Sequence, residues 1–233
     1  MKNSFKSIFK SFSRFEIALL LSSISLIVFS FLLFDRQNYL SLIASLVGVF
    51  SLIFCAKGNP IGEGLMVLFS ILYAIISFGY SYYGEMITYL GMTLPMSIFA
   101  LVSWIKNPYK KGEYEVRVKN LRRVEFYIMI ALAILVTAAF YFILKYWNTS
   151  NLIVSTFSVT TSFIAAYLCL MRSVYFTVAY AVNDMLLIVL WILATVENIS
   201  YISVTICFVV FLANDLYGFY NWQKMKNKQN LES

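Results

Sequence analysis

Apolar stretches of close to twenty residues follow one another along the chain, separated by short polar breaks. Eight of them stand at roughly 15–34, 39–56, 61–82, 86–105, 125–146, 152–171, 174–195 and 200–222. Each is close to the length a helix needs to cross a hydrocarbon core. The breaks carry turn-forming and charged residues: Asp35-Arg36-Gln37-Asn38, Lys57-Gly58-Asn59-Pro60, Tyr83-Gly84-Glu85, Asn148 to Asn151, Arg172-Ser173 and Glu197-Asn198. A single long polar segment, Lys106 to Arg123, divides the chain in two. The pattern predicts an all-α polytopic membrane protein of about eight transmembrane helices.

Charge supplies an orientation. With eight spans and a cytoplasmic first residue, sixteen of the eighteen basic residues fall on the cytoplasmic side, and only Arg36 and Lys145 fall outside. One span more or fewer would put one basic terminus on the wrong side. The expectation is therefore a multi-pass membrane protein with both termini cytoplasmic. Ahead of the first span, Phe5, Ile8, Phe9 and Phe12 share one helical face while Lys2, Lys6 and Lys10 lie elsewhere. That amphipathic pattern suits an anionic membrane surface. No convincing small-residue cleavage site follows the first span, so it reads as a retained helix rather than a signal peptide.

Composition narrows the function. The chain is 61% hydrophobic and only 12% charged, about half the charge of a soluble domain. The net charge of +7 does not point to nucleic acid, because the basic residues sit between apolar runs instead of forming one solvated face. Histidine is absent, which removes Ser-His triads, HExxH sites and histidine proton shuttles. Cys55, Cys169 and Cys207 are dispersed within or beside apolar runs and read as small packing residues, neither a disulfide framework nor a zinc site. No phosphate-binding GxxxxGK[ST] loop is present, so the chain carries no ATP-driven pump. An enzyme is not expected, and no cofactor is implied.

The halves look alike. An offset of 118 residues aligns Tyr73 with Trp191, Tyr83 with Tyr201, Trp104 with Trp222 and Lys106 with Lys224. The spans 39–56, 61–82 and 86–105 then answer to 152–171, 174–195 and 200–222. The expected organisation is an amphipathic amino-terminus with a first helix (1–38), a first three-helix repeat (39–105), a basic loop with a linker helix (106–151), a second three-helix repeat (152–223) and a tail (224–233). One linker helix keeps the two three-helix bundles parallel. Parallel repeats are a transporter architecture with the substrate at their interface.

Polar groups inside the spans are the candidate chemistry, because a carboxylate at a helix centre costs roughly 2.5–3.5 kcal/mol on insertion scales. Asp184 and Asp215 are two such carboxylates. Tyr180, Asp184 and Trp191 fall on one helical face with Thr177, an aromatic stripe with one acceptor that suits a flat polar ligand. Asn183 adds an amide beside it. In the last span Asn214, Tyr217 and Asn221 share a face, and Asp215, Gly218 and Trp222 share the next. Both carboxylates equally suit a bundle-locking hydrogen bond, so ligand binding and structural pairing stay open. Trp104 and Trp222, each just ahead of a Lys, read as interface anchors. Asn59 and Glu63 either face a central cavity or form a plain cytoplasmic turn, with Tyr73, Ser77 and Tyr80 on the helix that follows. The Ser/Thr-rich helix at 152–171 either glues helices together or lines a polar path.

These segments resemble the PnuC family of nicotinamide riboside transporters. Gly58-Asn59-Pro60-Ile61-Gly62, Tyr82-Tyr83-Gly84-Glu85, Tyr180 through Asp184 and Asn214 through Trp222 carry the likeness, which spans about 39 to 224. The resemblance implies two SWEET-like three-helix bundles joined by a linker helix, and facilitated diffusion by alternating access. It also implies a cytosolic kinase that phosphorylates the imported riboside and traps it. Tyr180 stands where many members have a Trp that stacks the pyridine ring, and Asp184 where a polar residue bonds ribose or carboxamide. Asn59 stands where many have the Trp of a Trp-Pro pair. The expected substrate-binding set is Asn59, Tyr73, Tyr180, Asn183, Asp184, Trp191, Asn214, Tyr217 and Asn221, with Asp215 as coupling or gating residue. A homotrimer is the expected assembly, with the lipid bilayer as its surroundings. Relatives carrying thiamine, riboflavin or deoxynucleosides, a proton- or ion-coupled symporter, and a non-transporting membrane module are the alternatives.

Overall fold

A computed structural model describes residues 12–79, 82–110, 112, 114–149 and 151–232. The amphipathic segment before Phe12 and the predicted Tyr80 position lie outside the described residues. The helices are α1 (Arg14–Phe34), α2 (Tyr39–Ala56), α3 (Ile61–Gly79), α4 (Tyr83–Thr88), α5 (Leu94–Lys106), α6 (Arg123–Tyr146), α7 (Leu152–Leu170), α8 (Phe176–Glu197) and α9 (Ile202–Leu231). A π-helical turn over Tyr89–Thr93 fuses α4 and α5 into one span, and a short 3-10 turn precedes α9. Among the described residues, eight helical spans are long and apolar enough to cross a membrane.

Local chemistry sets several ends. Ser13 and Glu16 form a reciprocal capping box on α1, and the Asn38 side chain caps α2. After α2, Gly58 turns the chain with φ 62°, and after α7 Arg172 does so with φ 57°. In both turns the amide that follows closes back on the helix, Asn59 onto Phe54 and Ser173 onto Leu168. This is the left-handed cap for which glycine is the usual choice. The last helix differs from expectation. The apolar pattern stops near residue 222, but α9 runs on to Leu231. Its polar end is held by Gln229, which donates to the Val116 carbonyl and the Glu115 carboxylate and accepts from the Val118 amide.

Six helices close a ring. α2 packs on α3, α3 on α5, α5 on α7, α7 on α8, α8 on α9, and α9 returns to α2. α2–α3–α5 and α7–α8–α9 thus occupy equivalent places, which is the pair of three-helix bundles. The helix before each bundle lies outside the ring, though not in an equivalent place: α1 covers the seam of α2 and α9, and the linker α6 lies mainly against α7. These two outer helices present large apolar side chains outward, such as Phe29, Leu135 and Phe142, a belt that only lipid covers without cost. A Thr pair joins the outer linker to the ring, with Thr137 and Thr160 2.8 Å apart between α6 and α7.

The segment between the halves lies across one end of the ring. Its Val116 amide donates to the Gly58 carbonyl, its Lys119 amide to the Arg172 carbonyl, and its Arg117 amide to Asn107 at the end of α5. The two basic turns, the basic central segment and the basic end of α9 therefore gather at one end, the basic end. No single offset relates the halves. Cys55 and Cys169, and likewise Gly58 and Arg172, are 114 residues apart, whereas Trp104 and Trp222 are 118 apart. The four extra residues, about one helical turn, enter the second half between turn and tryptophan. α8 is correspondingly longer than α3, with 22 residues against 19.

Candidate functional site

Near the basic end the halves lock together through reciprocal contacts. Trp104 at the end of α5 donates its indole N–H to the Cys169 carbonyl on α7 at 3.0 Å, and Trp222 on α9 donates to the Cys55 carbonyl on α2 at 2.8 Å. The two rings approach to 5.4 Å between centroids. Both are fully buried, which corrects their reading as interface anchors. A buried indole needs an acceptor, and each takes a carbonyl at the C-terminal end of the other half's first helix. Between them, the thiols of Cys55 and Cys169 donate to a single oxygen, Glu63 Oε1, at 3.3 and 3.0 Å. Thus Glu63 faces inward, not out of a plain turn, and the two cysteines do more than fill space.

Deeper in the ring, α8 and α9 bring Asp184 and Asp215 within hydrogen-bonding reach of each other, both buried. Asp184 Oδ2 receives no bond from any amide or hydroxyl among the described residues. α9 and α8 come this close because Gly218 faces Thr177: a Cβ there would stand 3.0 Å from Thr177 Cγ2. One turn before Asp184, the half-buried Tyr180 packs edge-on against Phe176.

Toward the far end lies a buried aromatic cluster. Trp191 donates to the Tyr73 hydroxyl at 2.7 Å. Tyr73 lies 4.3 Å from Tyr89 between ring centroids, and Tyr82 lies 5.0 Å from Trp191. Glu85 is buried and within electrostatic reach of Tyr73, Tyr82 and Tyr89, and Tyr89 is also within reach of Asp184. Glu85 Oε2, Ser77 Oγ and Thr93 Oγ1 have no hydrogen-bond partner among the described residues. The interior thus combines ring faces with carboxyls whose bonding capacity is unspent.

The remaining predicted residues are engaged elsewhere. Asn183 accepts from Thr161 at 2.9 Å and Ser158 at 3.4 Å, tying α8 to α7. Asn214 donates to Ser23 on α1 and to Val210. Asn59 holds its own turn by accepting from the Ile61 amide, and Asn221 donates to the Ala56 carbonyl. Tyr217 donates to Glu16, which pairs with Lys57 at 3.1 Å. Asn59, Tyr217 and Asn221 therefore lie near the basic end, apart from the group of Tyr73, Asp184, Trp191 and Asp215. The sequence pattern put Glu85 in a break and read the two cysteines as packing residues, and it gave no signal for Tyr89. An offset of 114 would have paired Cys55 with Cys169 through their adjacent turns.

An apolar outer belt, two equivalent three-helix bundles and an enclosed interior of carboxyls and aromatic rings define a multi-pass membrane transporter rather than an enzyme. The chain belongs to the nicotinamide mononucleotide transporter family, whose model matches residues 38–224. It is similar to the nicotinamide riboside transporter PnuC of Neisseria mucosa, 25% identical over 231 residues, which cover 97% of this chain and 87% of that protein. It is also similar to the nicotinamide riboside transporter PnuC of Haemophilus influenzae, 23% identical over 195 residues and covering 83% of each. A crystal structure of the vitamin B3 transporter PnuC shares the fold with a TM-score of 0.82 at 23% identity, covering 95% of this chain and 96% of that one.

Proposed function

We propose that the protein carries nicotinamide riboside across the membrane by facilitated diffusion, with the interior facing each side in turn. The observation that carries this reading is the buried aromatic cluster beside Asp184, Asp215 and Glu85. Nicotinamide riboside is a flat N-substituted pyridinium: its ring stacks on tyrosine and tryptophan faces, and its positive charge favours both aromatic faces and carboxylates. Stacking contributes roughly 1–3 kcal/mol per ring and a desolvated cation–π contact about 2 kcal/mol. Tyr180, Trp191 and Tyr73 are the proposed stacking faces, with Asp184 and Glu85 toward the riboside's hydroxyls, carboxamide and charge.

Direction follows from trapping. A phosphate adds about −1.5 to −2 charges, which an interior of carboxyls repels, so a cytosolic kinase that phosphorylates the riboside holds it inside. In this reading the basic end is cytoplasmic. The tryptophan pair with Glu63 closes that end, and rocking of one bundle against the other opens it.

Uptake of labelled nicotinamide riboside into proteoliposomes tests the reading. Equilibration without any ion gradient, and accumulation only when kinase and ATP are enclosed, is the expected result. A thermal-shift panel of the riboside, its mononucleotide, thiamine, riboflavin and deoxynucleosides reads the cargo, since a ligand stabilises what it binds; stabilisation by another ring alone would replace the cargo. One observation favours a second reading, proton coupling: Asp184 and Asp215 are buried within reach of each other, a pairing of carboxyls that is able to share one proton. Acceleration of uptake by an imposed pH gradient would establish it in place of simple diffusion.

A further inference from the structure

A cleft of about 470 Å³ opens between the start of α6, the end of α7 and the turn into α8. Arg122 and Arg123 line it together with Leu121, Phe126, Tyr127, Met129, Leu168 and Tyr175. It has two chemical parts: two guanidinium groups where the linker helix begins, and an apolar lining of Phe126, Met129 and Leu168 beside them. Arg172, next to the lining Ser173, keeps its Nε and Nη1 buried with no acceptor among the described residues. Burial and the nearby Arg117 together disfavour its charge and hold its pKa below the ordinary value. The carboxylate on this part of α6, Glu125, is already engaged by Lys119 at 2.5 Å and by the Arg122 amide at 2.9 Å. The cleft thus joins a concentration of positive charge to an apolar lining at the start of an apolar span, and the basic ends of such spans are where headgroups are expected.

We infer that this cleft binds an anionic phospholipid, with the phosphate on Arg122 and Arg123 and an acyl chain against Phe126, Tyr127 and Leu168. Charge complementarity selects the anionic headgroup and the apolar lining selects a lipid over a free anion. The site is separate from the aromatic interior and does not depend on what the protein carries. It also has a mechanical consequence. The linker α6 packs mainly on α7, so a lipid wedged between α6 and the α7–α8 turn pins the linker to the second bundle.

The test is thermal unfolding of the full chain in phosphatidylcholine nanodiscs with and without phosphatidylglycerol, together with native mass spectrometry of retained lipid. Comparison proteins are Arg122→Gln/Arg123→Gln and, as a charge-matched control, Lys224→Gln/Lys226→Gln. The wild type and the control are expected to gain thermal stability from phosphatidylglycerol and to retain it in the gas phase. The arginine pair variant should bind it roughly 25-fold more weakly, about fivefold per basic residue, while unfolding like wild type in phosphatidylcholine alone. Equal lipid retention by all three proteins would overturn the proposal. So would an equal loss in the lysine control, which would reduce the effect to bulk charge. Inorganic phosphate reproducing the whole stabilisation would overturn it as well, leaving a free-anion site.

Discussion

Replacing Trp222 by Phe removes the N–H that reaches the Cys55 carbonyl at 2.8 Å while keeping an aromatic ring against Trp104. The site is fully buried, and the carbonyl keeps its second donor, the Gly58 amide at 2.9 Å, so the substitution removes one hydrogen bond without leaving the oxygen unpaired. A net hydrogen bond contributes about 0.5–1.5 kcal/mol. If the tryptophan pair is the closure of the basic end, that loss falls on the closed state alone, because in an open state water serves both indole and carbonyl. The open population then rises about 2- to 13-fold. Cys55 and Cys169 are buried in this closure and Cys207 is buried elsewhere, toward Ser45. Reaction with a membrane-permeant maleimide, resolved cysteine by cysteine by mass spectrometry, therefore reads the opening with an internal control. Cys55 and Cys169 should react faster in Trp222→Phe by that factor and Cys207 should not. Unchanged labelling of all three with a lowered Tm would show the bond to be packing with no part in a gate. Equal acceleration at Cys207 would show global loosening.

Three further outcomes follow from the same geometry. Asp184→Asn gives Asp215 an amide donor in place of a second carboxyl, so thermal stability should hold or rise by about 1 kcal/mol while riboside uptake falls at least about tenfold, the loss of one good hydrogen bond to cargo; wild-type uptake would remove Asp184 from the site. Gly58→Ala places a Cβ on a left-handed residue 2.6 Å from Met225 Cε and should cost about 1–2 kcal/mol, whereas Arg172→Gly at the equivalent turn should relieve a similar strain; denaturation of the pair checks both signs. The Glu232 carboxyl is held below its usual range by hydrogen bonds from Lys110 and Tyr109. A lowered folded pKa stabilises above the ordinary carboxylate range and loses that contribution as pH falls through the folded value. The Tm difference between wild type and Glu232→Gln should therefore shrink on acidification, and a difference that grows would contradict the pairing.

Periodicity and charge were enough to read eight spans and the gathering of basic loops, because both record one-dimensional rules: twenty apolar residues span a bilayer, and basic residues collect on one side of it. The family, too, was legible in contiguous motifs such as Asn214 through Trp222. Pairing was not. Nothing local says that Trp104 and Trp222, alike in their approach to a Lys, turn inward to each other's bundles. Their partners are backbone carbonyls 65 and 167 residues away. The same holds for the amides: Asn183, Asn214 and Asn221 sit on helical faces that suit a ligand, yet their bonds go to α7, α1 and α2. Glu85 looked like part of a break, and only the packing of α4 against the aromatic cluster makes it an interior carboxyl. Hydropathy and charge act residue by residue along the chain and so survive in the sequence. Which buried polar group meets which is decided by how two bundles close around an axis, and only the tertiary structure carries that.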